Sequence, residues 1–373
     1  MSRQFIWEQA DWPNLRIEAG LLAGVLSDVT FAQGEIAGAL RTLGEADRKG
    51  IALDTLADTA IETSQIEGEH LSSDGVRASL ARRLALGVNA LGKGDPRADG
   101  IVAMTVDAQQ NADAPLTKER LFRWHADLFA NAPRSLTVGE WRTLRDDPMQ
   151  VVSGPVSARV VHFEAPPAKR LAREMDAFLT WFERPSDLSP LAHAAAAHLR
   201  FLTIHPFSDG NGRIARAIAD LRIARAYRSE VPYVVLSRQI RKERAEYYSA
   251  IERAQRGDVD VTLWVEWFID CYRRAAGDTL RSLDDLMRAG RFWRDHRDIA
   301  INARQRAVLE RYLAGEFEGW LNSRKYAVIA KTSADTAQRD LADLLEKHIV
   351  FPNDGKARRT SYRLSEDFDP HRG

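Results

Sequence analysis

Apolar residues recur at intervals of three and four through most of the chain, among abundant Ala, Leu, Arg and Glu, which predicts amphipathic helices rather than alternating strands. Helices are expected at about 15–45, 51–69, 97–111, 117–131, 168–183, 190–205, 211–227, 240–256, 260–276 and 279–297, with no fixed-period repeat. Residues 141–167, WRTLRDDPMQVVSGPVSARVVHFEAPP, break the pattern. Val-rich pieces flank Ser153-Gly154-Pro155 and a double proline closes the stretch, a β-hairpin signal. Beyond about residue 298 the pattern changes again: a helix near 303–313, NSRKYAVIAK, a helix near 334–346, then HIVFPNDGKARRTSYRL, which reads as strand, turn at Asp354-Gly355, strand. Three helices followed by a hairpin suggest a winged helix.

Length and composition narrow the class but not the chemistry. The 373 residues suit two or three domains of roughly 150 residues, and 45% apolar content gives each an ordinary core. Lys plus Arg equals Asp plus Glu at 53 each, so attraction to nucleic acid or an anionic membrane must come from a local patch. The single cysteine, Cys271, lies in the apolar run WVEWFIDCY and is expected to be buried and inert, and no internal disulfide can form. Glu8 and Asp11 interrupt the N-terminus before an apolar signal region could form, and no run approaches the ~18 apolar residues of a membrane span. A cytoplasmic location without membrane contact is expected.

The candidate chemistry is concentrated in HPFSDGNGRIAR, residues 205–216. The helix before it must stop at Pro206, which puts His205 at a helix C-terminal end. Helical spacing resumes at Arg213, so Gly210-Asn211-Gly212 opens a helix whose unpaired N–H groups and dipole favour a phosphate. Arg213 and Arg216, three apart, add two cations on one face, which suits a triphosphate better than a single carboxylate. Asp209 beside such an anion suits Mg²⁺, and His205 is the group able to take a proton at neutral pH. Nucleotide, metal and base point to phosphoryl or nucleotidyl transfer. His198, seven residues before His205, is read as a core histidine rather than half of a metal pair.

HPFSDGNGRIAR resembles the signature of Fic proteins, which are mostly adenylyltransferases acting on protein hydroxyls. The likeness extends through LFRWHADLF and GEWR before it and EYYSAIERAQRGDVDVTLWVEWFI after it. It implies a mainly α fold: a helical bundle at 115–275 with a β-hairpin flap, a helical N-terminal domain at 1–85, a connecting helix at 86–114, a linker helix at 276–300 and a winged-helix domain at 301–366. On this resemblance His205 is the base that deprotonates a Ser, Thr or Tyr hydroxyl of a target protein, which attacks the α-phosphate of ATP. Asp209 holds Mg²⁺; Gly210, Asn211 and Gly212 form the anion hole; Arg213 and Arg216 meet the β- and γ-phosphates; Phe207 is an apolar anchor. Val161, His162, Phe163 and Glu164 form the flap strand, whose edge pairs with the target. Tyr247, Tyr248 and Gln255 fall where relatives line the adenine pocket, although tyrosines spaced along an amphipathic helix also serve as core.

TSQIEG, residues 63–68, resembles the family's inhibitory motif, with Glu67 expected to compete with the γ-phosphate for Arg216. Some relatives use the same glutamate to remove AMP. In the tail, residues 322–363 carry nine Lys or Arg against five Asp or Glu, with Lys356, Arg358, Arg359 and Arg363 on the expected wing. TSADTAQRDL would be its recognition helix, capped by Thr332 or Ser333, with Thr336, Gln338 and Arg339 free for DNA. Such tails also dock proteins, and relatives commonly carry glycine at His348. A homodimer is expected from the resemblance. Two alternatives stand beside the adenylyltransferase: a DNA-binding regulator whose core senses nucleotide, and a transferase using UTP or a phosphocholine carrier.

Overall fold

The computed structural model describes the chain apart from residues 1–4, 85–94, 131, 132, 134, 135, 155–158, 228–232, 317, 318, 354–360, 366 and 371–373. It divides into two units, one of residues 1–38 and 44–279, the other of residues 39–43 and 280–373. The architecture is mainly α, as the apolar spacing predicts.

The first unit is built on a buried pair of helices, α7 (Pro190–Ile204) and α8 (Asn211–Tyr227). Ser189 accepts a hydrogen bond from the Ala192 N–H and Pro190 occupies the first turn, which together start α7 where the sequence places it. Every residue from Leu191 to Ile204 is buried, and the run Ala194 to Ala197 keeps that helix slim. Around the pair, in chain order, stand α1 (Ala19–Thr42), α2 (Glu45–Ile66), α3 (Ser73–Arg83), α4 (Pro96–Gln110), α5 (Lys118–Leu128) and α6 (Leu171–Glu183) before it. After it come α9 (Leu236–Lys242), α10 (Arg244–Gln255) and, as far as residue 279, α11 (Thr262–Asp295). At Gly100 of α4 any β-carbon would collide with the Asp127 carbonyl of α5, so a glycine is what lets these helices touch. Ion pairs Arg238–Asp58 and Arg241–Glu62 tie α9 to α2. Cys271 is fully buried and its thiol is pushed up by burial, as an inert core cysteine should be.

The expected hairpin forms as β1 (Gln150–Ser153) antiparallel to β2 (Val160–Glu164), with Val151 opposite Phe163, Ser153 opposite Val160 and a bulge between Val151 and Val152. The two helices expected at 260–276 and 279–297 are one helix, α11, of Thr262–Asp295. The helix α3 was not anticipated: it is strongly polar and buries little more than Val76, Ala78 and Leu80, so its apolar period is faint. Glu243 separates α9 from α10 within the stretch expected as one helix.

The second unit contains α12 (Ala303–Leu313), α13 (Ser323–Ile329), α14 (Ala334–Glu346) and the paired strands β3 (Phe351–Pro352) and β4 (Tyr362–Arg363). This is the element order the tail predicts. Leu309, Tyr312, Tyr326, Leu341, Leu344 and Leu364 form its core. Buried Asp340 accepts hydrogen bonds from Tyr326, Arg304 and Asn302, which satisfies a charge that would otherwise be expensive to bury. Ser333 caps α14, while Gln338 and Arg339 are exposed. His348 adopts φ 56°, the left-handed conformation that glycine favours after a helix. Asp354, Gly355, Lys356, Arg358 and Arg359 lie outside the described residues.

Candidate active site

The loop from His205 to Asn211 is held by Arg142, by the Asn211 amide and by packing of Phe207. His205 ends α7 with φ 52° and ψ 58°, a left-handed conformation that a non-glycine residue adopts only when its surroundings impose it. Arg142 imposes it: its N–H bonds the Pro206 carbonyl at 2.9 Å, its Nε the His205 carbonyl at 2.8 Å, and its guanidinium continues to Asp147 and the Pro166 carbonyl. The Asn211 amide spans the turn, accepting from the Phe207 N–H at 3.0 Å and donating to its carbonyl at 2.7 Å. Phe207 is fully buried and stacks on His125 with ring centroids 4.1 Å apart. His125 accepts from the Gly139 N–H at Nδ1, so its proton sits on Nε2, which donates to the Asp209 carbonyl at 3.2 Å. Burial pushes the His125 imidazole down to about 4 and keeps it neutral in this role.

The same logic fixes the His205 tautomer. Its Nδ1 lies 3.2 Å from the Leu202 carbonyl, which can only accept, so the proton is on Nδ1 and Nε2 carries the free lone pair. Burial pushes this imidazole down to about 4 as well, leaving it unprotonated at neutral pH. Nε2 is therefore the ring nitrogen left able to accept a proton.

The start of α8 carries the two arginines, and both are already paired. Arg216 is 3% exposed; its Nε donates to Thr63 Oγ1 at 2.7 Å, and one terminal nitrogen reaches the Thr63 carbonyl at 2.9 Å and Glu67 Oε1 at 2.7 Å. Burial works against its charge, but the Glu67 carboxylate together with Tyr247 and Tyr248 holds the guanidinium above its ordinary value. Arg213 lies over the Phe129 ring and pairs with Glu69 at 2.8 Å. Both glutamates are delivered by the end of α2. Glu69 N–H bonds the Ser64 carbonyl and Gly68 N–H the Gln65 carbonyl, a Schellman cap closed by Gly68 at φ 83°. Asp209 is exposed, and one of its oxygens accepts from the Gly210 N–H at 2.6 Å.

Beside this helix start opens a cavity of about 630 Å³ whose wall includes His205, Gly212, Glu67, Tyr248 and the flap. Tyr248 is 40% exposed with the Arg244 guanidinium 5.5 Å from its ring centroid, whereas Tyr247 is buried with its hydroxyl 2.8 Å from His198 Nε2. His198 is the core histidine the sequence suggests. Gln255 is buried and donates to Thr203. On the flap, Phe163 packs edge-on against Phe5, and Glu164 accepts from Gln150 through its side chain and from Trp7 through its carbonyl. His162 bridges Ser153, 2.6 Å away, and Glu252, 3.0 Å away. Arg256 donates to the carbonyls of Val161 and His162, so this part of the flap is already engaged.

The structure thus gathers His205, Asp209, Gly210, Asn211, Gly212, Arg213, Arg216, Glu67, Tyr247, Tyr248, Gln255 and the flap residues around one region. Sequence reasoning missed the supports. Arg142 lies in GEWR and His125 in LFRWHADLF, both quoted for likeness but neither given a role, and nothing local to Glu69 or Arg256 marks them. Among the described residues no group of three or more His, Cys, Asp or Glu could hold a metal by itself. A lone exposed carboxylate such as Asp209 is the donor expected for Mg²⁺ shared with phosphate oxygens.

Residues 115–222 match the Fic/DOC family, and residues 5–86 match a domain of unknown function, DUF4172. Protein adenylyltransferase Fic of Drosophila melanogaster is 34% identical over 118 residues, 31% of this chain and 22% of that protein. The protein of the same name from Nematostella vectensis is 37% identical over 97 residues, 25% of this chain and 21% of that one. The chain therefore spans about a fifth of the length of these curated relatives. Two solved structures share its fold. Fic-1 (residues 134–508) from C. elegans has a TM-score of 0.51 at 20% identity over 73% of this chain and 75% of that one. A Fic domain containing signaling protein from Bacteroides thetaiotaomicron has a TM-score of 0.51 at 18% identity over 69% and 96%.

Proposed function

The chain belongs to the Fic family, and from that premise we propose that it transfers AMP from ATP to a Ser, Thr or Tyr hydroxyl of a target protein. The observation that carries the reading is His205: a neutral imidazole whose Nδ1 is committed to the Leu202 carbonyl and whose Nε2 is left to accept, in a cavity walled by the Gly212 helix start. Nε2 takes the proton of the target hydroxyl; its oxygen attacks the α-phosphorus, the bond to the bridging oxygen breaks, and pyrophosphate leaves. N–H groups at the start of α8 and the guanidinium groups of Arg213 and Arg216 hold the outer phosphates, and Tyr248 offers its face to the base. Asp209 is the residue that would hold Mg²⁺, which when bound offsets phosphate charge.

In this reading the resting protein is restrained. Arg216 serves Glu67 or a γ-phosphate but not both, and Glu69 makes the same demand of Arg213. Incubation of the Glu67→Gly protein with labelled ATP, Mg²⁺ and cell extract, with Glu67→Gly/His205→Ala as control, tests the proposal. Hydroxyl-linked AMP, abolished in the control and raised over wild type, is expected; no AMP transfer, or transfer that survives loss of His205, overturns it. A second reading, a DNA-binding regulator, is favoured by the exposed Gln338 and Arg339 on the Ser333-capped α14. A salt-dependent gel shift that Arg339→Ala weakens would support it.

A further inference from the structure

Arg200 is 2% exposed, its Nε–H is buried without a partner, and its guanidinium forms no hydrogen bond with any described residue. Aromatic rings flank it instead: the Trp181 centroid lies 5.1 Å away and the Phe178 centroid 5.8 Å away. The carboxylate that acts on it electrostatically, Glu174, is already committed, with one oxygen accepting from Trp12 Nε1 at 2.9 Å and the other from Arg170 at 2.5 Å. Burial pushes the Arg200 guanidinium down to about 10, which leaves it charged at neutral pH. A buried cation with five donors and no acceptor is costly to a folded protein unless something supplies the oxygens.

The structure leaves room for such a group. Arg200 lines a cavity of about 590 Å³ that shares no residue with the cavity at His205. Leu15, Ile17, Trp181, Leu188 and Ala196 give it an apolar wall, while Arg184 and Asp176, both exposed, add one charge of each sign. A cavity of this size, with an apolar wall, a polar side and one buried charge to orient the occupant, has the make-up of a small-molecule site.

We infer that this cavity binds a small organic oxyanion on an apolar body, with its oxygens on the Arg200 guanidinium and its body against Trp181, Leu188, Leu15 and Ile17. A planar fork of donors suits a carboxylate and a phosphate ester equally, and the walls select against a bare inorganic ion.

Calorimetric titration of the full chain with benzoate, phenyl phosphate, inorganic phosphate and the neutral benzyl alcohol tests this. Saturable binding of benzoate or phenyl phosphate is expected, weakened at least about tenfold in Arg200→Met, with inorganic phosphate weaker and benzyl alcohol silent. Whichever of the first two binds more tightly distinguishes a carboxylate from a phosphate ligand. Met replaces the stem while removing a buried charge that has no hydrogen-bond partner among the described residues, so the ligand-free variant should melt no lower than wild type. Should it fail to fold, Arg200→Lys keeps the charge without the fork and should weaken binding several-fold. Absence of saturable binding by both benzoate and phenyl phosphate, or binding unchanged in the Arg200 variants, overturns the inference. Binding that is instead lost in Arg216→Ala belongs to the other cavity and overturns it too.

Discussion

Glu67 stands over Gly212: a β-carbon on that glycine would lie 3.0 Å from the carboxylate carbon and closer still to Oε1. A helix start whose unpaired N–H groups suit an anion therefore already faces one, contributed by the chain itself. The space is small enough that only a hydrogen at position 212 permits the approach.

That crowding predicts the behaviour of Gly212→Ala in the Glu67→Gly background. The added methyl occupies room that the phosphate is proposed to take once Glu67 is gone, so the KM for ATP should rise about tenfold or more. Steady-state AMP incorporation against ATP concentration measures it, and an unchanged KM would place the phosphate elsewhere.

Arg213 supplies a second prediction. Its pair with Glu69 is half in solvent, the carboxylate being 42% exposed, so it is worth about 0.5–1 kcal/mol rather than the full value of a buried pair. Glu69→Gln should raise transfer about two- to fivefold, less than Glu67→Gly, and the double variant should exceed either single one.

Transfer by the Glu67→Gly protein should show the depressed pKa of His205. The base form is the neutral one and burial holds that pKa at about 4, so activity should persist as pH falls past the ordinary histidine value and decline only towards about 4. A pH–rate profile whose acid limb lies near 6.5 would contradict the burial seen here.

Stability has an acid limb of its own. His193 and His198 are fully buried and burial pushes both down to about 3. The unfolded chain takes up their protons near 6.5 and the folded one does not, so the stabilisation is complete above about 6.5 and is lost as pH falls towards 3. Each such histidine should cost up to about 2 kcal/mol between pH 6.5 and 5. Denaturant midpoints of wild type and His198→Gln at the two pH values test this, and the variant should lose less.

The core helix α7 was legible because it carries both the Ser189 cap and a strong apolar run, whereas α3 buries one weak face and gave no period to read. The loop at 205–216 was legible because its chemistry is contiguous: proline, glycines and arginines follow one another along twelve residues. Glu69, Arg142, His125 and Arg256 act across separations of 63 to 144 residues, and no local pattern reports a partner so distant. Arg200 was hidden for the opposite reason, since an arginine in an alanine-rich helix reads as a solvated side chain until its burial is seen.

The cap at Gly68 ties these threads to chirality. No atom lies within 4 Å of where its β-carbon would be, so space does not demand glycine there; the backbone angle of +83° does. An L-residue at this position must pull the turn towards its own hand, at about 1 kcal/mol of strain. Since one turn carries both Glu67 and Glu69, Gly68→Ala should loosen Arg216 and Arg213 together, and AMP incorporation should rise without any carboxylate having been removed. Two locks share one hinge pin, and its fit is decided by a single stereocentre.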